Sequence, residues 1–412
     1  MVDSLGHRRR DGAALAVLAC AIGLLAACTG RGGGAGPSSP NTRPRRPTTR
    51  LTTVYRWGVV GNRGPIAGLQ LDTPTPVASI SGRVVQIATS NSDGYALTST
   101  GQVYGWGVNS YGELGYGTLT PYETRAVKVR FPAGVKIRAL ADPMPFDGAL
   151  AIDSSGHAWA WGLNVFGDLC LSGFIEDRPQ RIRLPRVSLA TGARTHSLLD
   201  SGGAVYACGS GNAGELGNGS TASATRPTPV VGLPAGERVL ALTSSWEGSG
   251  ALLADGSYYD WGYNAAGQLG DGTMTDSSRP VRVDLPGPVR QVFQGGSGPS
   301  NGQTIAVLED GSVWMWGANS RGQLGDGTKI GSDVPVELHL PDGVRIVNVS
   351  TGGYASYAVD ATGRLWAWGD NREGQLGTGS SPRLTTVPTE LGIHLTQVSS
   401  TAQNVAGLGT RS

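Results

Sequence analysis

Short apolar runs, each interrupted by a glycine turn, recur along most of the chain. Tyr95–Trp106, "YALTSTGQVYGW", and Ile305–Trp316, "IAVLEDGSVWMW", are two of them. Glycine after a small or acidic residue between apolar stretches is a hairpin signal, because such turns need positive φ. The second run of each pair ends in Trp-Gly, at Trp57, Trp106, Trp161, Trp261, Trp316 and Trp368, with Cys208-Gly209 in a seventh place. The intervals are 49, 55, 47, 53, 55 and 52 residues. Five residues before each Trp-Gly from the second onward stands the turn glycine: Gly101, Gly156, Gly203, Gly256, Gly311 and Gly363. Six to nine residues after it comes Gly, an acid or amide, Leu and Gly, as in Gly267-Gln268-Leu269-Gly270.

No helical period accompanies this pattern. Each unit predicts a strand, a loop, a second strand, the glycine turn, a third strand closing on Trp-Gly, the glycine-rich loop and a last strand such as Pro280–Leu285. Four short strands per unit describe a propeller blade, and stacking blades buries the faces that one small sheet leaves open. The two ends are complementary halves. Thr396–Thr410 supplies first and second strands without a Trp-Gly, and Thr53–Gly58 supplies a third strand without a first or second. The expected fold is therefore all-β, a seven-bladed β-propeller of four-stranded blades over 51–412, the last blade closed by strands from both termini.

Composition agrees with many tight turns: 65 of 412 residues are Gly, without a collagen-like triplet. Charge is unevenly placed. Residues 1–56 hold nine Arg and two Asp, leaving 24 basic and 29 acidic residues from position 57 on. A mildly acidic body argues against nucleic acid as a partner. The N-terminal segment reads as an export signal over 1–27, with Arg8–Arg10 ahead of the apolar run Ala13–Ala27. Leu25-Ala26-Ala27-Cys28 resembles the lipobox of bacterial lipoproteins, which implies cleavage before Cys28 and its lipidation. Residues 28–50 then read as the lipidated Cys and a disordered Gly/Pro/Thr/Arg tether. The expected location is extracytoplasmic, on the bacterial cell membrane through this anchor.

The joint pattern of Trp-Gly and the "GQLG"-type turn resembles the regulator of chromosome condensation repeat family, whose units of about 50 residues build seven-bladed propellers. Membership implies a non-enzymatic platform, here a monomer that engages a protein or cell-envelope polymer. Two further readings come with the resemblance: an inhibitor of a secreted enzyme such as a β-lactamase, and guanine-nucleotide exchange. An exported protein would not meet a cytoplasmic GTPase, and no repeat is long enough for an extra projecting hairpin.

Candidate chemistry is sparse. His157, His196, His339 and His394 fall in different repeats, so no metal set is expected. Gly209–Gly214 is the repeat loop, not a dinucleotide fingerprint, because it lacks a βαβ context. No catalytic residue and no cofactor are expected. Cys170 replaces the last glycine of one turn and Cys208 the next Trp; a disulfide between neighbouring blades and two small buried side chains are both open. The loops between first and second strands vary most and share one rim. They supply the partner-binding candidates Met144, Phe146, His196, Trp246 and Tyr354.

Overall fold

The computed structural model describes residues 52–60, 69–193, 196–246, 248–296, 298, 300–379, 382–401 and 404–410. The signal, the lipobox Cys28 and the tether lie outside the described residues. Among the described residues the regular elements are strands, grouped in seven four-stranded antiparallel sheets around a ring. Blades 1 to 6 span 84–128, 137–181, 187–229, 239–282, 289–338 and 346–394. Blade 7 is composite: Gln397–Thr401 and Asn404–Thr410 from the C-terminal end, then Thr52–Val60 and Leu69–Pro76 from the N-terminal end. The seam is a regular ladder running from Thr52↔Thr410 to Gly58↔Asn404. The complementary halves expected at the two ends are thus joined by seven paired residues.

Within each blade the first strand lines the ring axis and the fourth is the outer edge. Every fourth strand contains proline, for example Pro121, Pro179, Pro280 and Pro335. Proline cannot donate to a ladder, so it is tolerated on an edge and blocks edge-to-edge pairing there. The fourth strand of blade 4 is Ser277–Arg282, beginning three residues before the apolar run suggested. It starts early because Ser277 pairs with Gly262 across a bulge.

That bulge explains the Trp-Gly dipeptide. The pairing of third and fourth strands slips at the Trp in blade after blade, as between Met315 and Gly317. The following glycine takes positive φ, +100° at Gly317, which a side chain resists. The loop after it is held by two recurring side chains. Asn319 Oδ1 accepts from the Leu324 amide at 2.9 Å, and Gln323 Oε1 accepts from the Arg321 amide at 2.8 Å. Asn109 and Glu113 repeat both bonds in blade 1, at 2.9 and 2.8 Å.

The same loop clamps the next blade. The backbone carbonyl of its acid or amide accepts a hydrogen bond from the following indole: Trp161 donates to Glu113 O (2.8 Å), Trp261 to Glu215 O (2.9 Å), Trp316 to Gln268 O (3.0 Å), Trp368 to Gln323 O (2.9 Å) and Trp57 to Gln375 O (2.8 Å). All five tryptophans are fully buried. The glycine two residues on lies flat against that indole. A Cβ at Gly217, Gly270 or Gly325 would stand 2.6–2.7 Å from the indole nitrogen, closer than packing allows.

Among the seams whose clamp loop lies in the described residues, the one between blades 2 and 3 departs from this device, and both of its parts change together. Cys208 stands in place of the Trp, and its sulfur lies 3.6 Å from the Asp168 carbonyl oxygen that would otherwise receive the indole. Cys170 stands in place of the glycine, with φ +57°. Without an indole there is room for its Cβ. The two are joined as a disulfide with Cα atoms 5.5 Å apart. A covalent bond therefore replaces the indole clamp at this one seam.

Replacing Cys208 by Trp alone should overpack this seam against the Cys170 Cβ. Cys170→Gly/Cys208→Trp should recover about 1–3 kcal/mol relative to Cys208→Trp. Thermal unfolding of the two variants checks the order; equal midpoints would break the link between the two positions.

Candidate functional site

Antiparallel blades put the loops between first and second strands at the same end of the ring as the glycine-rich loops between third and fourth strands. The hydroxyls at the tips of the axial strands converge there. Thr89 meets Ser399 at 3.0 Å, Thr191 meets Ser244 at 2.9 Å, and Ser350 meets Ser400 at 2.8 Å. Each pair bridges two blades that approach too closely at the axis for larger side chains.

Residues 141–147 lie over this hydroxyl ring. The Met144 amide donates to Thr89 O in blade 1, and the Phe146 amide donates to Ala193 O in blade 3. Asp142 Oδ1 accepts from Ser399 Oγ in blade 7 at 2.7 Å. The crossing over blade 3 needs Gly192, where a Cβ would meet the Pro145 ring at 2.5 Å. Beside the crossing is a small cavity of about 30 Å³, bordered by Met144, Phe146, Ala193, Ser245, Trp246 and Gly296. That is space on the scale of one or two water molecules.

The five partner-binding candidates separate here. Phe146 and Trp246, a hundred positions apart, are brought edge to face with ring centroids 5.8 Å apart. Both are half-buried, so each presents part of its ring to solvent. Tyr354 is half-buried at the same end, in the corresponding loop of blade 6. Met144 is not an interface residue. It is 1% exposed, packs into the core of blade 2, and its sulfur accepts from the Leu150 amide at 3.3 Å. This flexible apolar side chain joins the cluster that includes Leu140, Leu150 and Trp161. His196 is likewise inaccessible. It is fully buried, with Nε2 2.7 Å from Ser249 Oγ, linking blades 3 and 4. Burial lowers its pKa to about 4, so it is neutral.

A second feature of this end was not visible as a motif. The loops between third and fourth strands expose large apolar side chains: Leu119 at 54%, Val165 at 50%, Phe166 at 42%, Phe174 at 61%, Met274 at 55% and Ile330 at 76%. Leu119, Phe174, Met274 and Ile330 stand 13 or 14 residues after their Trp, so the repeat phase alone places them at one level on the rim.

Acids at this end are buried and shifted. Burial raises the Asp93 carboxyl well above the usual range, and the nearby Glu113 and Asp147 carboxylates push the same way. Burial takes Asp168 up to about 7 against hydrogen bonds from backbone amides, with Asp147 adding repulsion. Asp168 occupies the position that Gln268, Gln323 and Gln375 hold in other blades.

A regulator of chromosome condensation (RCC1) repeat model matches residues 100–141, 202–252, 255–298, 310–359 and 362–407, and a second model of that repeat matches 84–113 and 346–375. The matched unit 202–252 runs from the third strand of blade 3 to the second strand of blade 4, so it contains a whole inter-blade clamp. The chain is 30% identical over 322 residues to the Ultraviolet-B receptor UVR8 of Arabidopsis thaliana, covering 75% of this chain and 70% of that protein. It is 28% identical over 312 residues to the E3 ubiquitin-protein ligase HERC2 of Homo sapiens, covering 72% of this chain and 6% of that protein. Human WBSCR16 superposes with a TM-score of 0.76 at 21% identity, over 88% of this chain and 99% of that one. Prp20p of Saccharomyces cerevisiae, described with its binding to Gsp1p and histones, superposes with a TM-score of 0.73 at 21% identity, over 89% and 93%. At such identities the two structures establish the fold alone.

Asp168 makes stability depend on pH. Its folded pKa of about 7 lies above the ordinary value, so its proton stabilises the fold at low pH. That contribution is complete below pH ~4 and is lost as pH rises through 7. The unfolding midpoint should be higher at pH 5 than at pH 8. Asp168→Asn, which keeps an acceptor and removes the titration, should narrow that difference; an unchanged difference would assign it to other groups.

Proposed function

Because the chain belongs to the regulator of chromosome condensation repeat family, we propose that it is a non-enzymatic, membrane-anchored platform that binds an extracytoplasmic protein through the loop end of its propeller. The observation that carries this reading is the collection of exposed apolar side chains at that end, rimming the Phe146–Trp246 pair. Large apolar side chains gathered at one end of a folded protein suit an interaction site there. Half-buried aromatics held rigidly by their neighbours are efficient anchors, since little conformational freedom remains to be lost on binding. The apolar rim favours a folded protein surface over a highly hydrated sugar polymer at this end.

Lipidation of Cys28 and the tether after it would suit this arrangement. The chain enters the ring at Thr52, the start of a third strand, and third strands run toward the loop end. Entry is therefore at the end opposite those loops.

Affinity capture from envelope extracts should recover a partner with the wild-type protein and with Glu309→Ala, a variant at the opposite end. Phe146→Ala/Trp246→Ala should weaken that partner's binding by about 30-fold or more, as expected for anchor residues. Equal recovery by the double variant would remove the loop end from consideration. Cys28→Ser should move the protein from the membrane fraction to the soluble one; continued membrane retention would refute the anchor.

A further inference from the structure

A second surface lies on the side wall of the ring, between the outer strands of blades 1 and 2. It is an open cleft of about 840 Å³. One wall carries Lys128 and Arg130, and the other carries Arg178 and Arg181. No acidic side chain lines it. All four cations are exposed, and among the described residues none of them is in an ion pair. The cleft draws on two acid-free basic stretches, 125–138 with five cations and 178–186 with four. Four cations thus face one cleft of a body that from position 57 on is net acidic, with 24 basic and 29 acidic residues.

Such a concentration costs self-repulsion with no internal partner to offset it, which makes an external anion the natural complement. We propose that this cleft binds a linear phosphate polymer. Cations on two facing walls suit a tetrahedral phosphate, whose free oxygens point in different directions and can be shared between walls. A planar carboxylate presents its oxygens along one edge. A concave cleft admits a single polymer chain, whereas a flat bilayer surface would touch only its rims. Single-stranded nucleic acid is disfavoured because it needs open aromatic faces for its bases. The aromatic side chains of the cleft are few and already paired: Phe131 is edge to face with Trp159 and Trp161, at 6.0 and 5.5 Å between ring centroids. This inference does not rest on the loop end, since it uses other residues on another surface.

The test is titration of the folded protein with inorganic polyphosphate at several salt concentrations. Wild type should bind, with affinity falling steeply as salt rises. Lys128→Gln/Arg130→Gln/Arg181→Gln should weaken binding about tenfold or more and reduce the slope of log K against log salt by about 2, as for three lost contacts on a single strand. The control Arg226→Gln/Arg238→Gln/Arg383→Gln makes the same change in net charge elsewhere and should retain near-wild-type affinity. Matching unfolding midpoints confirm that both triple variants are folded. Equal weakening by the two variants would overturn the site, as would failure of wild type to bind polyphosphate. Equal or tighter binding of poly-glutamate, oligodeoxythymidylate or anionic vesicles would overturn the ligand class.

Discussion

A four-stranded sheet of this size has two faces to bury and no second layer of its own, so the fold depends on what joins one blade to the next. The joint is a buried indole that donates its N–H to a carbonyl in the preceding blade while lying against a glycine two residues further on. Burying a Trp nitrogen without a partner would be costly, and leaving the ring exposed would forfeit a large apolar surface. The clamp meets both requirements together. It also accounts for the shape of the repeat: Asn and an acid or amide shape the loop so that one carbonyl points outward, and Leu plugs the loop into its own blade.

The seam between blades 2 and 3 shows that this constraint is shared by two positions. Trp and Gly form one unit, and losing the ring frees space for a Cβ that Gly217, Gly270 and Gly325 do not have. Cys170 and Cys208 fill that space with a covalent bond. Neither substitution is intelligible alone. The proline in each outer strand serves a related end at the periphery, where an unpaired ladder would otherwise invite another chain.

Scaffold and surface are therefore divided by phase. Positions that recur at fixed distance from Trp are buried and mechanical, such as Asn319, Gln323 and Leu324 of the clamp loop. Positions that vary are on loops, yet variation does not by itself mean exposure. Met144 and Phe146 lie two residues apart in one loop, and one enters the core while the other meets Trp246. The chain carries apolar side chains out to the rim at the loop end and cations to the wall between blades 1 and 2. A single ring thus presents two chemically distinct surfaces.

The number of blades, the order of strands and the closure of blade 7 were legible in the sequence, because period, turn glycines and half-units at the ends are properties of spacing. The coupling of Cys170 to Cys208 could be posed but not decided, since Cα separation does not follow from distance along the chain. Which loop residues face a partner was beyond the sequence for the same reason. Met144 turns into the core of blade 2 and Phe146 meets Trp246 of blade 4, contacts that only the packing of loops on blades brings about. Two basic stretches about forty residues apart became one cleft only when adjacent blades set their outer strands side by side. Local spacing determines the repeat; packing between repeats determines what its variable residues can touch.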